Sequence, residues 1–188
     1  MKKVNRCPWP GNDKLMIEYH DKKWGRPCHE DRLLFEYLIL DTFQAGLSWR
    51  TILHKRENFH QAFSNFSPKI IARYSRQKIN SLMKNPGIIR NRLKIEGAVK
   101  NAKAFLKIQK EFGSFDKYIW QFTGHKIINN KQKSLNGLRS KSKESEAMSR
   151  DLKKRGFSFV GSTICYAYMQ GAGMVNDHLV SCFRHTRQ

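Results

Sequence analysis

The chain has 188 residues, a formal net charge of +21 and 39% apolar residues, which suits a folded protein with a proper core and excludes a disordered one. No apolar run reaches the roughly 20 residues of a membrane span, and the basic start MKKVNRCPWPG lacks the apolar segment of a secretory signal. Four dispersed cysteines argue against a disulfide framework and for a reducing cytoplasm, and the charge surplus favours a polyanionic partner, nucleic acid before a membrane surface.

Helical periodicity runs through almost the whole chain. EDRLLFEYLILD places Leu34, Tyr37, Leu38 and Asp41 on one face, and Gly46 ends that helix. SWRTILHKRENFHQAF reads as one basic helix carrying Ile52, Phe59 and Phe63. Ser67-Pro68 suits a cap followed by a first helical position for KIIARY, and Ser75 suits the cap of RQKINSLMKN, which Pro86-Gly87 breaks. A long helix with Ile95, Ala98, Val99, Ala102 and Leu106 on one stripe stops near Gly113, and SFDKYIWQF repeats the pattern up to Gly124. Residues 126–146 are polar and basic and read as a loop or mobile excursion. Helix resumes in AMSRDLKKRG, and GSTICYAYMQGAG, apolar on nearly every side, reads as a buried central helix. No alternating strand pattern stands out, so the expected class is all-α.

Three constellations carry chemistry. His178 and Cys182 lie four residues apart, on one face of a helical turn, and Cys7 and His20 flank CPWPGNDKLMIEYH. Together they make a Cys₂His₂ set of the kind that closes a structural zinc site. The spacing of the first pair is looser than a zinc-finger knuckle, so spacing alone is a weak signal and favours buried cysteines beside ordinary polar histidines. Cys165 reads as core and Cys28-His29 as surface. Trp9, Tyr19, Trp24 and Trp49 crowd the first third of the chain, where they could stack on bases or close a core. Asp41 is a carboxylate on an apolar stripe, costly unless paired or used. It either accepts backbone hydrogen bonds from the following turn or lines a pocket with FQAGLSW. Finally, SLMKNPGIIRNRLKI has the form of a helix-hairpin-helix whose turn points backbone N–H groups at a phosphate, with Arg90, Arg92 and Lys94 adding charge; a plain αα-turn would look the same.

Taken together and in order, RCPW at 6–9, YHDKKWG at 19–25, QAGLSW at 44–49, KRENF at 55–59, GIIRNRLKI at 87–95, LKKRGFSFVGSTICYAYMQ at 152–170 and VNDHLVSC at 175–182 resemble the DNA-3-methyladenine glycosylase I family over nearly the whole chain. Residues 126–146 match poorly and behave as a variable loop. The resemblance implies an all-α, helix-hairpin-helix DNA glycosylase fold. It implies a single unit over residues 1–188, with its central helical part at about 30–125 and its hairpin near 79–95. A structural Zn²⁺ held by Cys7, His20, His178 and Cys182 would join the N- and C-terminal segments.

The same likeness implies a base pocket of Trp9, Tyr19 and Trp49 with Gln44, Trp24 and Met16, Asp41 as its catalytic acid, and DNA-backbone contacts at Gly87, Ile88, Arg90, Arg92 and Lys94. The implied activity is monofunctional hydrolysis of the N-glycosidic bond of 3-methyladenine in double-stranded alkylated DNA, by a cytoplasmic bacterial monomer working on the nucleoid without a membrane or an obligate protein partner. Two positions depart from the family's pattern. Its pocket acid is usually glutamate where this chain has Asp41, one methylene shorter, and Met16 stands where some members place a pocket tyrosine. A rival class is a zinc-stabilised basic protein that binds DNA or RNA without chemistry, but a backbone binder needs no acid among aromatics.

Overall fold

The computed structural model describes residues 4–185; the basic tip of the chain, residues 1–3, lies outside them. Ten helices carry the described residues: α1 (Lys14–Lys22), α2 (Asp31–Gln44), α3 (Trp49–His54), α4 (Arg56–Ala62), α5 (Pro68–Ile71), α6 (Arg76–Lys84), α7 (Arg92–Phe112), α8 (Phe115–Trp120), α9 (Lys143–Lys154) and α10 (Ser162–Gly171). The expected all-α class holds, with one small exception. Two-residue strands β1 (Ile128–Asn129) and β2 (Val175–Asn176) pair in parallel.

Local signals set most helix ends. Ser75 Oγ accepts the Lys78 N–H at the start of α6, and Asn91 Oδ1 does the same for Lys94 at the start of α7. Gly113 closes α7 in the left-handed region at φ 84°. Pro68 sits at the first turn of α5, although the Ser67 side chain makes no capping bond. The single helix expected over 48–63 is two, bent at Lys55 (φ −100°, ψ 0°). The Lys55 ammonium donates to Pro86 O at 3.1 Å and Gly87 O at 3.4 Å, a long-range anchor that no local pattern reveals.

The main core gathers α2, α7, α8 and α10. Every residue of α2 from Leu34 to Phe43 is buried, so its apolar stripe is a helix enclosed on all sides, whereas α10, expected to be equally buried, leaves Thr163 exposed and Ala167 and Gln170 half-buried. Aromatic pairs such as Phe105 on Phe115, 4.2 Å between ring centroids, fill the middle. A second, smaller core joins the two ends of the chain through Cys7, Met16, Tyr19, Trp24, Leu53, Leu179 and Cys182. Backbone bonds pin it, with Phe183 N donating to Asn5 O at 2.9 Å. Gly173 makes the close approach behind it possible. Its φ is +72°, and a Cβ there would lie 2.2 Å from the Arg26 backbone carbon.

Two expectations are corrected here. Cys28 is not a surface residue; it is buried against the main core, its N–H bonded to Ala172 O at 3.0 Å and its carbonyl accepting Trp120 Nε1–H at 2.9 Å, while only its neighbour His29 faces outward. Nor is the segment over 126–146 a free excursion. β1 ties it to β2, Val180 N donates to Gln132 O at 2.8 Å, and α9 begins inside it, with Ser142 and Ser145 capping each other.

Candidate functional site: an aromatic pocket beside a Cys₂His₂ cluster

Between the two cores lies a cavity of about 240 Å³ lined by Trp9, Met16, Tyr19, Trp24, Asp41, Gln44, Trp49, Leu138, Ala167 and Gln170. All seven residues expected in the pocket are in its wall. Leu138, Ala167 and Gln170 were not foreseen. Ala167 and Gln170 lie on the helix read as pure core, and Leu138 belongs to the segment read as a variable loop.

Asp41 comes from the last turn of α2, where the alternative reading had it bonding to its own turn. Only its backbone does so: Ala45 N donates to Asp41 O at 3.2 Å. Its carboxylate, in a residue 6% exposed, has no hydrogen-bond or ion-pair partner among the described residues. It is not one of the fully enclosed unpartnered polar atoms either, so its oxygens open to the cavity. Burial alone raises its pKa well above the ordinary carboxyl value. Such a group wants a donor or a positive charge, and no side chain of the wall bonds to it among the described residues. Tyr19 is buried and pushed above its ordinary value first by that burial and then by Asp41, so its phenol keeps its proton. Its ring lies 5.1 Å from Trp49, and Trp9 meets Trp24 edge to face at 5.1 Å. The turn after Asp41 is made by Gly46 (φ +77°), which leaves Leu47 exposed at the edge of the site, its carbonyl accepting Gln44 Nε2–H at 2.7 Å.

Behind Tyr19, the next residue turns the other way. His20, with Cys7, His178 and Cys182, forms a fully buried group whose ligand atoms all lie within 4.8 Å of one another. Cys182 Sγ is 3.5 Å from His20 Nε2 and 3.7 Å from His178 Nδ1, and Cys7 Sγ is 3.8 Å from His178 Nδ1. Zinc–sulfur bonds of about 2.3 Å and zinc–nitrogen bonds of about 2.0–2.1 Å give tetrahedral edges of about 3.4–3.8 Å, so the quartet fits a zinc ion.

The surroundings fit too. His20 Nδ1–H donates to Asp21 at 2.8 Å, itself held by Arg6, and His178 Nε2–H donates to Trp24 O at 3.2 Å. Each ring thereby turns a lone pair inward, the arrangement that orients metal-binding imidazoles. Backbone N–H groups of Leu179 and Arg184 point at the two sulfurs, at 3.4 and 3.5 Å. Burial lowers His178 to about 4 and raises the Cys7 thiol to about 12, so the protein matrix by itself opposes charge here. A dication would offset that opposition for the thiolates.

The expected DNA contacts divide. Arg90 and Arg92 are exposed at the start of α7, Arg92 bonded to Asn80 at 2.9 Å. Gly87 N–H is turned back onto Asn85 Oδ1 at 2.8 Å and the Ile88 side chain is buried, so the partnerless backbone N–H groups belong instead to residues 89, 90, 92 and 93. Lys94 is not a DNA contact. It is 6% exposed, and its ammonium donates to Phe43 O at 2.8 Å and Ala45 O at 2.5 Å, capping the C-terminal end of α2 just behind Asp41. Replacing Lys94 with Gln is therefore expected to lower thermal stability by about 1–3 kcal/mol in a denaturant titration, from the unsatisfied carbonyls. It should leave the salt dependence of DNA binding unchanged.

A family model described as methyladenine glycosylase matches residues 9–185. DNA-3-methyladenine glycosylase of Haemophilus influenzae is 48% identical over 179 residues, covering 95% of this chain and 97% of that one. DNA-3-methyladenine glycosylase 1 of Escherichia coli strain K12 is 41% identical, covering 95% and 96%. Among solved structures, a variant of 3-methyladenine DNA glycosylase I in complex with 3-methyladenine superposes with a TM-score of 0.93 at 33% identity, covering 96% of this chain and 97% of that one. On this match, continuous from Trp9 through the pocket to the C-terminal cysteine, the chain belongs to the methyladenine glycosylase family.

Proposed function

We propose that this chain is a monofunctional glycosylase that hydrolyses the bond between 3-methyladenine and deoxyribose in double-stranded alkylated DNA and leaves an abasic site. The observation that carries the reading is the partnerless Asp41 carboxylate opening into an aromatic cavity. Alkylation at N3 makes the base a cation and hence a good leaving group. Water adds at C1′, the C1′–N9 bond breaks with its electron pair going to the base, the water's proton passes to solvent, and the base departs neutral. Leaving-group activation is thus a small part of the task and discrimination from abundant neutral adenine the large part. A carboxylate in low dielectric supplies it: it accepts a hydrogen bond from the exocyclic amine and favours the charged base over the neutral one. Trp9, Tyr19 and Trp49 enclose the ring and add a cation–π contribution of about 0.5–2 kcal/mol. The target must be flipped out of the helix to reach them, at least cost for a damaged pair.

Cys7, His20, His178 and Cys182 would hold a zinc ion in a structural role, the four protein ligands crosslinking the chain ends and leaving no position for a reactant. What the protein itself contributes is placement, since Tyr19 precedes the ligand His20 and Trp9 follows Cys7 by two residues. Exposed Arg90 and Arg92, with the backbone N–H groups of residues 89, 90, 92 and 93, suit the phosphate backbone, and exposed Leu47 suits the gap left by the flipped base. Arg90→Gln should reduce the slope of log K against log salt by about 0.9, one phosphate contact, with no loss of stability.

The decisive assay is release of free 3-methyladenine from methylated duplex DNA. Release supports the proposal; binding of that DNA with no base released would leave a non-enzymatic nucleic-acid-binding protein instead.

A further inference from the structure

Gln170, in the last turn of α10, lines the pocket and is held from behind. Its Nε2 donates to Asp177 Oδ2 at 2.8 Å. The same buried carboxylate accepts the Tyr166 hydroxyl at 2.8 Å and Asn130 Nδ2 at 2.7 Å. Three donors thus converge on one carboxylate, and the Gln170 amide presents its NH₂ to Asp177. The opposite end of the amide, Oε1, then has no partner among the described residues and is not enclosed. Like the Asp41 carboxylate, it is a hydrogen-bond acceptor on the wall of this cavity. An exocyclic amine carries two N–H donors, and Asp41 uses one.

We infer that Gln170, oriented by Asp177, determines specificity by presenting a second acceptor to the flipped base, so that the site selects an edge bearing an amine over one bearing a carbonyl. The inference rests on the glycosylase reading above. 3-Methyladenine bears an amine at C6; 3-methylguanine bears a carbonyl oxygen there, which would face two acceptors with no proton between them. Asp177 is a positioning residue, since it fixes which end of the amide faces inward without touching the base.

The test measures both bases, 3-methyladenine and 3-methylguanine, released from one preparation of methylated duplex DNA by wild type, Gln170→Met and Asp177→Asn, with the zinc content and Tm of each protein. Gln170→Met keeps the length and removes the acceptor; kcat/KM for 3-methyladenine should fall about tenfold while that for 3-methylguanine holds or rises. The amide introduced by Asp177→Asn has a donor of its own, so the Gln170 amide is free to reverse and offer NH₂ to the base. The release ratio should then move toward 3-methylguanine beyond that of Gln170→Met. An unchanged ratio, or equal losses for both bases, in variants with wild-type zinc content and Tm would overturn the assignment. If Gln170→Met does not fold, the ratio for Asp177→Asn decides alone, by the same criterion. Failure of the wild type to release either base would sink the glycosylase reading instead.

Discussion

An Asp41→Asn variant should lose base release by about a hundred- to thousandfold in kcat/KM while becoming more stable than the wild type at neutral pH. The first effect follows from removing the only charge in the pocket wall, with preorganised electrostatic groups carrying effects of that size. The second follows from the environment of the carboxyl. Asp41 is buried without a protein partner, and burial raises its pKa above the unfolded value. Between those two values the folded chain binds more protons than the unfolded one, so stability falls as pH rises from the ordinary carboxyl range up through the raised one. An amide has no charge to desolvate and escapes that fall. Melting curves from acid to neutral pH should therefore coincide for the two proteins at the acid end and separate as pH rises. Each kcal/mol recovered should be worth about 2–4 °C in a chain of this length. A variant that releases 3-methyladenine at the wild-type rate would remove Asp41 from the mechanism. One that is inactive but less stable at every pH would show that the carboxyl has a structural bond after all.

The second large effect concerns the Cys₂His₂ quartet. Freshly purified protein should contain about one zinc per chain by elemental analysis. Removal by a strong chelator, or Cys182→Ser, should lower Tm by about 10 °C or more. Structural zinc in finger peptides contributes an apparent ~10–16 kcal/mol, and even a third of that is large at about 2–4 °C per kcal/mol. Base release should fall along with it, although none of the four residues lines the cavity, because the quartet joins the segment carrying Trp9 and Tyr19 to the C-terminal segment. Re-addition of zinc should restore both. A zinc content near zero in active protein of unchanged Tm would overturn the assignment and leave the quartet as buried thiols and imidazoles.

How much of this was legible beforehand differs by residue. The cap Ser75 and the stop at Gly113 are short-range matters, decided within a few residues of the backbone groups concerned. Ser75 could be assigned from its own neighbourhood because the Lys78 N–H it accepts is three residues away. The pocket aromatics and Asp41 were visible as anomalies: too many indoles near turns, and an acid on an apolar stripe. The pairing of Cys7 with His178, 171 residues apart, was only one open reading from residue type and spacing, and the resemblance made it the expectation; the fold brings the atoms to 3.8 Å.

The misses share one physical cause. Lys94 looked like one more cation on a basic helix, yet its ammonium caps a helix some fifty residues earlier in the chain. Leu138 looked like filler in a polar loop, yet it lines the pocket, in a loop whose β1 pairs with β2 almost fifty residues later. Cys28 looked exposed beside a charged stretch, but Trp120 and Ala172 cover it. The amino-acid order by itself determined most of the helices, the cap at Ser75, the excess positive charge and which residue types were available to recognise a cationic base. Only the tertiary structure decided which of the many lysines would be buried, which end of Gln170 faces the cavity, and that Asp41 has no partner. Those outcomes depend on where carbonyls and carboxylates from distant segments fall, and no local pattern encodes that.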